Sequence, residues 1–149
     1  MSLKRIYDQQ PESFDFTKAN KDEAEKILKK YPVSRKKSAV MPLLYLAQRQ
    51  NENWIPLAAM KHIAKYLEMP YIKVYEVATF YAHFDVIKDG ERIPPKFTIR
   101  VCDSLSCELS GSNQLKKILE NEFNIEEVRV LRAPCMGRCY TAPTVEIGH

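Results

Sequence analysis

The sequence is poor in glycine. Only four glycines occur among its 149 residues, and no Gly-x-Gly-x-x-Gly motif is present. That motif lets a backbone turn approach the pyrophosphate of a dinucleotide closely, so its absence argues against an NADH site on this chain. The residues also offer no convincing acid/base or nucleophile set for catalysis. We therefore expect no catalytic residues, and no enzymatic activity from the chain alone.

Long apolar segments are missing as well. The longest, residues 39–47, is interrupted by Pro42 and is far too short to span a bilayer. The N-terminal segment lacks the apolar core of a secretory signal, and an acidic residue as early as Asp8 argues against an organellar transit peptide. The sequence therefore predicts a cytoplasmic protein without direct membrane insertion, in a reducing compartment where paired cysteines more often bind metal than form disulfides.

The net charge of +4 originates in the N-terminal part of the chain. Residues 1–90 hold 15 basic and 11 acidic side chains, whereas residues 91–149 hold eight of each. The basic surplus is concentrated in five side chains, Lys29, Lys30, Arg35, Lys36 and Lys37. Such a cluster can dock nucleic acid or an acidic protein face, and a solvated helix end with its loop is the ordinary alternative.

Apolar residues keep helical spacing through most of the first 90 residues. They predict four amphipathic helices, over residues 18–31, 35–49 and 56–67 and in the segment after Met69. Short connections between such helices are typical of a small antiparallel bundle. Residues 1–17 show no period and are expected to form an extended arm against a partner or the domain surface.

The pattern changes between residues 88 and 96. Asp89-Gly90 is a turn pair and Pro94-Pro95 a stiff linker, so we expect a helical bundle over residues 18–90 and a second domain over residues 95–149. Alternating residues 97–101 predict a strand, and a helix with two further strands follows, over residues 112–123, 127–132 and 144–147. The order β-α-β-β is the first part of an α/β sandwich, which makes the predicted fold class α+β.

The four cysteines of the chain fall into two close pairs. Cys102 and Cys107 form a C-x4-C pair, Cys135 and Cys139 form a C-x3-C pair, and 27 residues separate the two pairs. Each pair follows a predicted strand, and a β-α-β unit makes those two strands parallel. Their carboxyl ends then share one edge of the sheet, so we expect all four thiolates to converge on one site.

The spacing of the cysteines favours an iron–sulfur cluster. Structural zinc usually takes C-x2-C knuckles, whereas longer loops suit a rhomb of two irons and two sulfides, with each pair holding one iron. A single zinc ion and a pair of disulfides remain as alternatives. A C-x-x-C redox pair is absent, and a Rieske centre would need two histidine ligands, whereas His62, His83 and His149 are scattered.

Several segments of the chain resemble one known family. They are Ser38-Ala-Val-Met-Pro-Leu-Leu-Tyr-Leu-Ala-Gln, Trp54-Ile, Val74-Tyr-Glu-Val-Ala-Thr-Phe-Tyr-Ala-His-Phe and the segments around both cysteine pairs. Together they resemble the 24 kDa iron–sulfur subunit family of NADH dehydrogenase, respiratory complex I, over about residues 18–147. The resemblance implies a helical bundle followed by a thioredoxin-like ferredoxin domain. It also implies a [2Fe–2S] cluster bound by Cys102, Cys107, Cys135 and Cys139.

The same resemblance implies a partner, the larger subunit that binds NADH and FMN. This chain would exchange single electrons with FMN as part of an NADH:quinone oxidoreductase, peripheral to the membrane on its cytoplasmic side, and FMN and NAD would be bound by the partner alone. Related subunits serve NAD-linked formate dehydrogenases and NAD-reducing hydrogenases, which the sequence does not separate. A zinc-stabilised adaptor that binds nucleic acid is a remote alternative. The main prediction involves no nucleic acid.

The chain departs from the family at its end. Family members usually continue past the third strand with a further strand and a helix, whereas this sequence stops at Gly148-His149. We therefore expect an incomplete thioredoxin-like domain, whose sheet is completed by another chain or belongs to a longer polypeptide. The sheet edge near Val145 and Ile147 is then a candidate for pairing with another strand.

Overall fold

The computed structural model describes residues 10–87 and 93–148 and divides the chain into two compact units between Ile93 and Pro94. The first unit is helical and the second contains a small sheet, which confirms the predicted α+β class. The turn pair Asp89-Gly90, His149 and residues 1–9 of the predicted arm lie outside the described residues. Within the described part of the chain, no helix combines the length and apolar character needed to cross a membrane.

The described residues of the first unit form four α-helices. They are α1 (Lys18–Lys29), α2 (Val40–Gln50), α3 (Leu57–Tyr66) and α4 (Tyr71–Phe80). Each carries an apolar stripe that is buried in a common core, whose largest fully buried members are Leu43, Leu44, Ile55, Met60, Ile63 and Val74. Because apolar burial is the main source of helix stability in a protein, the periodic pattern was sufficient to find all four helices.

The start of α2 differs from the prediction. Residues 33–39 form a 3₁₀ helix, in which Arg35 has non-helical dihedrals of φ −120° and ψ 18°. Every side chain from residue 33 to residue 38 is exposed, so no apolar burial stabilises an α-helical turn there. Since α2 begins at Val40, Pro42 is its third residue, where a missing N–H removes no hydrogen bond within the helix.

A buried glutamine fastens the segment after α4 to α2. Gln48 is only 4% exposed, its Nε2 donates to the carbonyl of His83 at 3.1 Å, and its Oε1 accepts from the N–H of Asp85 at 2.8 Å. The Ile55 N–H donates to the carbonyl of Asp85 at 2.8 Å. These bonds satisfy backbone groups that burial would otherwise leave without water.

The segment before α1 is held by a second glutamine of α2. Gln50 accepts through Oε1 from the N–H of Thr17 at 2.9 Å and donates through Nε2 to the carbonyl of Asp15 at 2.9 Å. Phe16 between them, within the predicted arm of residues 1–17, is buried in the helical core. Its ring lies edge-on to His62, with centroids 5.2 Å apart.

The second unit is built on a three-stranded sheet. Its elements are β1 (Phe97–Cys102), α5 (Leu105–Leu109), α6 (Ser112–Glu122), β2 (Val128–Ala133) and β3 (Val145–Gly148). The strand order is β2-β1-β3, with β1 parallel to β2 and antiparallel to β3. The predicted parallel pairing is thus confirmed. Helix α5 was not predicted, because five residues are too few to display a helical period.

Candidate metal centre

Both cysteine pairs follow the carboxyl ends of neighbouring parallel strands. Cys102, the last residue of β1, is in register with Ala133, the last residue of β2, two positions before Cys135. The Asp103 N–H donates to the Ala133 carbonyl at 3.0 Å, which extends this pairing beyond the strands. On the other side of β1, the Cys102 N–H donates to the carbonyl of Thr144 at 3.1 Å. The loop that carries the second pair is therefore fixed at both ends to residues 102–103.

The first pair is buried. Cys102 and Cys107 are each 2% exposed, and the N–H of Cys107 donates to the carbonyl of Ser104 at 2.9 Å, which places Cys107 in the first turn of α5. The pKa of the Cys102 thiol is lowered by a hydrogen bond from the Ser104 N–H, against the opposing effect of burial, and further by the Cys107 thiol, the Met136 N–H and the Ser104 hydroxyl. These donors favour the thiolate, which is the form that binds metal.

The second pair lies in a turn-rich loop and is exposed. The Gly137 N–H donates to the Cys135 sulfur at 3.4 Å, and Gly137 adopts a left-handed φ of +72° to do so. Cys139 begins a short 3₁₀ helix, Cys139–Thr141. The carbonyl of Arg138 accepts three hydrogen bonds, from the Thr141 N–H at 3.0 Å, the Thr141 hydroxyl at 3.1 Å and the Thr144 hydroxyl at 3.2 Å.

The second pair contains a local hydrogen bond to sulfur, from the Gly137 N–H to Cys135. This geometry resembles an Asx turn, in which a side-chain acceptor takes the place of a backbone carbonyl. A backbone group thus orients the Cys135 sulfur independently of any ligand.

The structure does not close four sulfurs around one point. The Met136 N–H, in the second loop, is among the groups that lower the pKa of the Cys102 thiol in the first. Within residues 10–87 and 93–148, however, no three cysteine, histidine or carboxylate side chains gather as a site for a single metal ion. The convergence of Cys107, Cys135 and Cys139 on a common centre stays a prediction.

The donor set fits a [2Fe–2S] cluster. All four cysteines are free, and four thiolates are the usual ligands of such a cluster. Such a cluster in its oxidised form carries a formal charge of about −2 on its irons, sulfides and thiolates, which calls for hydrogen-bond donors around it. The Gly137 N–H already donates to the sulfur of Cys135, and the N–H groups of Ser104 and Met136 are among the groups that lower the pKa of the Cys102 thiol.

Sequence reasoning did not identify the donors to sulfur. Ser104, Met136 and Gly137 act largely through their backbone N–H groups, which every residue other than proline possesses, so their identity carries little signal. The serine hydroxyl of Ser104, within the C-x4-C interval, was the one signal available. The nearby guanidinium of Arg138 contacts Tyr140, with Nη2 3.1 Å from the phenol oxygen.

Several known proteins are similar to this chain. The model of the family "Thioredoxin-like [2Fe-2S] ferredoxin" matches residues 24–149. An NADH-quinone oxidoreductase subunit of Rickettsia felis is 42% identical over 143 residues, covering 91% of this chain and 83% of that protein. The corresponding Rickettsia prowazekii protein is 41% identical, with 91% and 78% covered. An NADH-quinone oxidoreductase subunit of Rhizobium meliloti is 40% identical over 157 residues, which cover 99% of this chain but 55% of that protein.

Proposed function

This chain belongs to the thioredoxin-like [2Fe–2S] ferredoxin family, and from that premise we propose that it is an electron-transfer subunit with one [2Fe–2S] cluster. Cys102, Cys107, Cys135 and Cys139 would hold the cluster, each pair on one iron. When bound, such a cluster supplies one reversible one-electron redox step. The observation that carries this proposal is the placement of both cysteine pairs after the carboxyl ends of the paired strands β1 and β2.

The chain's own residues would bind the cluster and adjust its potential. The first pair is buried, so water has little access to Cys102 and Cys107. N–H donors near the sulfurs stabilise the more negative, reduced form and therefore raise the reduction potential. No residue of this chain needs to take up or release a proton for that role, which agrees with the expectation that it has no catalytic residues.

The partner that we propose is a larger subunit that binds NADH and FMN. The named relatives are subunits of NADH-quinone oxidoreductases, and we infer that this chain takes the same place in a complex on the cytoplasmic side of a membrane. NADH would be oxidised at the FMN of the partner, and single electrons would pass from there to this chain. The scarcity of glycine supports a division of labour in which NAD and FMN are bound elsewhere.

Anaerobic reconstitution with iron and sulfide tests the cluster. We expect reddish-brown protein with about two irons and two sulfides per chain and a rhombic paramagnetic signal on reduction. Replacing each cysteine by serine should abolish the signal, whereas Ser106→Ala, an exposed position of α5, should preserve it. Colourless wild-type protein with one tightly held zinc ion would refute the electron-transfer role and favour the adaptor alternative.

Isolation of the native complex tests the partner separately. We expect the tagged chain to co-purify with a subunit that contains FMN, and mass spectrometry of the other components would distinguish a quinone oxidoreductase from a formate dehydrogenase or a hydrogenase. A reconstituted cluster without any co-purifying flavoprotein would leave the cluster assignment standing and overturn the assignment of the partner.

A further inference from the structure

Thr144 forms two hydrogen bonds that lead to different cysteine pairs. Its carbonyl accepts from the N–H of Cys102 at 3.1 Å, and its hydroxyl donates to the carbonyl of Arg138 at 3.2 Å. The Arg138 carbonyl belongs to the peptide unit that continues into Cys139. One residue therefore connects the backbone of Cys102, in the first pair, to the backbone of Cys139, in the second.

We infer that Thr144 is a positioning residue of the candidate metal centre, because it fixes the backbone at Cys139 relative to the backbone at Cys102. The inference rests on the proposed function, in which these two cysteines bind the same cluster. Residues behind metal ligands orient the ligands, and their loss weakens metal binding. Thr144 is firmly held for this task, since the next residue, Val145, begins β3 and is paired with Val101 of β1.

Thr141 provides a contrast, because it bonds to the same Arg138 carbonyl without reaching the sheet. Its N–H donates at 3.0 Å and its hydroxyl at 3.1 Å. Both bonds link residues three positions apart and close the short 3₁₀ helix Cys139–Thr141, so they do not connect the loop to β1. Thr141 is also exposed, whereas Thr144 is half-buried, so water replaces a lost Thr141 hydroxyl more readily.

Hydrogen exchange of the cluster-free full chain tests the connection at its far end, the N–H of Cys102. Thr144→Val removes the hydroxyl at nearly constant shape and leaves the Thr144 carbonyl in place. We expect the Cys102 N–H to exchange about threefold faster in this variant, while the Ile99 N–H, in the middle of β1, keeps its rate. Thr144→Ser, which retains the hydroxyl, and Thr141→Val should both keep the wild-type rate at Cys102.

Cluster loss from the reconstituted chain tests whether the connection matters for the site. We expect Thr144→Val to lose its cluster to a chelator about threefold faster than the wild type, and Thr144→Ser to stay close to it. Equal rates of cluster loss for these two variants would overturn the inference while the cluster assignment stands. An unchanged Cys102 rate in Thr144→Val, an equal acceleration at Ile99, or an equal effect of Thr141→Val would overturn it as well. Failure of the wild-type chain to bind a cluster would instead remove the proposed function, and exchange on the cluster-free chain would still decide whether Thr144 couples the two loops.

Discussion

Gly137, between the two cysteines of the second pair, has a backbone conformation that other residues avoid. Its φ is +72°, and its N–H donates to the sulfur of Cys135 at 3.4 Å. A Cβ at this position would meet no atom within 4 Å, so a side chain there meets no steric barrier. The requirement for glycine is therefore conformational, because L-residues are disfavoured in the left-handed region.

We expect Gly137→Ala to lower the free energy of unfolding by about 1 kcal/mol and to accelerate cluster loss to a chelator. Gly111→Ala is the matched control, since Gly111 has a φ of +91° and equally open surroundings but lies outside both cysteine pairs. Urea unfolding should show a similar destabilisation for both variants. Chelator kinetics should separate them, and identical rates of cluster loss would show that the Gly137 turn does not hold Cys135 in place.

At the scale of elements, two glutamines of α2 each form hydrogen bonds to the backbone of a non-helical segment, but the two differ in burial. Gln48 bonds to His83 and Asp85 in the interior, whereas the bonds of Gln50 to Asp15 and Thr17 are accessible to water. Both residues fasten a non-helical segment to the same helix. The difference in burial decides how much each bond contributes, because water replaces a lost partner only where it has access.

Gln48→Leu should therefore lower the free energy of unfolding by about 2 kcal/mol, since it leaves the half-buried His83 carbonyl and Asp85 N–H without this partner. Gln50→Leu, two residues along the same helix, should cost less than about 1 kcal/mol. Urea denaturation of both variants measures the difference. A larger loss for Gln50→Leu would mean that the attachment of the segment before α1, with Phe16, matters more than the buried bonds of Gln48.

The elements that could be predicted from sequence are those with a periodic pattern of residue types. Apolar residues recur at helical spacing in α3, around Ile63, and in α4, around Val74. Apolar and polar residues alternate around Ile99 in β1, although every residue of β1 after Phe97 is buried. The 3₁₀ helix before α2 and the short helix α5 depend on local backbone bonds, which leave no such pattern. The effect of the Met136 N–H on the pKa of Cys102 was also out of reach, because it links residues far apart in sequence through a backbone group.

For the whole molecule, charge distinguishes the two units. Residues 26–51 hold seven basic side chains and no acidic one, whereas residues 94–149 hold seven of each. Lys29, Lys30, Arg35, Lys36 and Lys37 within the first span are all exposed. Attraction to an acidic partner would therefore act on the helical unit, and it would mainly affect the rate of association, which salt screens.

If that basic span steers the chain toward the flavin-containing partner, Lys36→Glu with Lys37→Glu should slow association at low salt by about tenfold. The double variant Lys61→Glu with Lys65→Glu makes the same change in net charge at exposed positions of α3 and should have a smaller effect. Stopped-flow association at low and high salt measures both, and the difference should vanish at high salt because ions screen exposed charges. Equal slowing by the two double variants would mean that net charge alone governs the encounter. An undiminished rate in both would leave the basic span as a solvated surface.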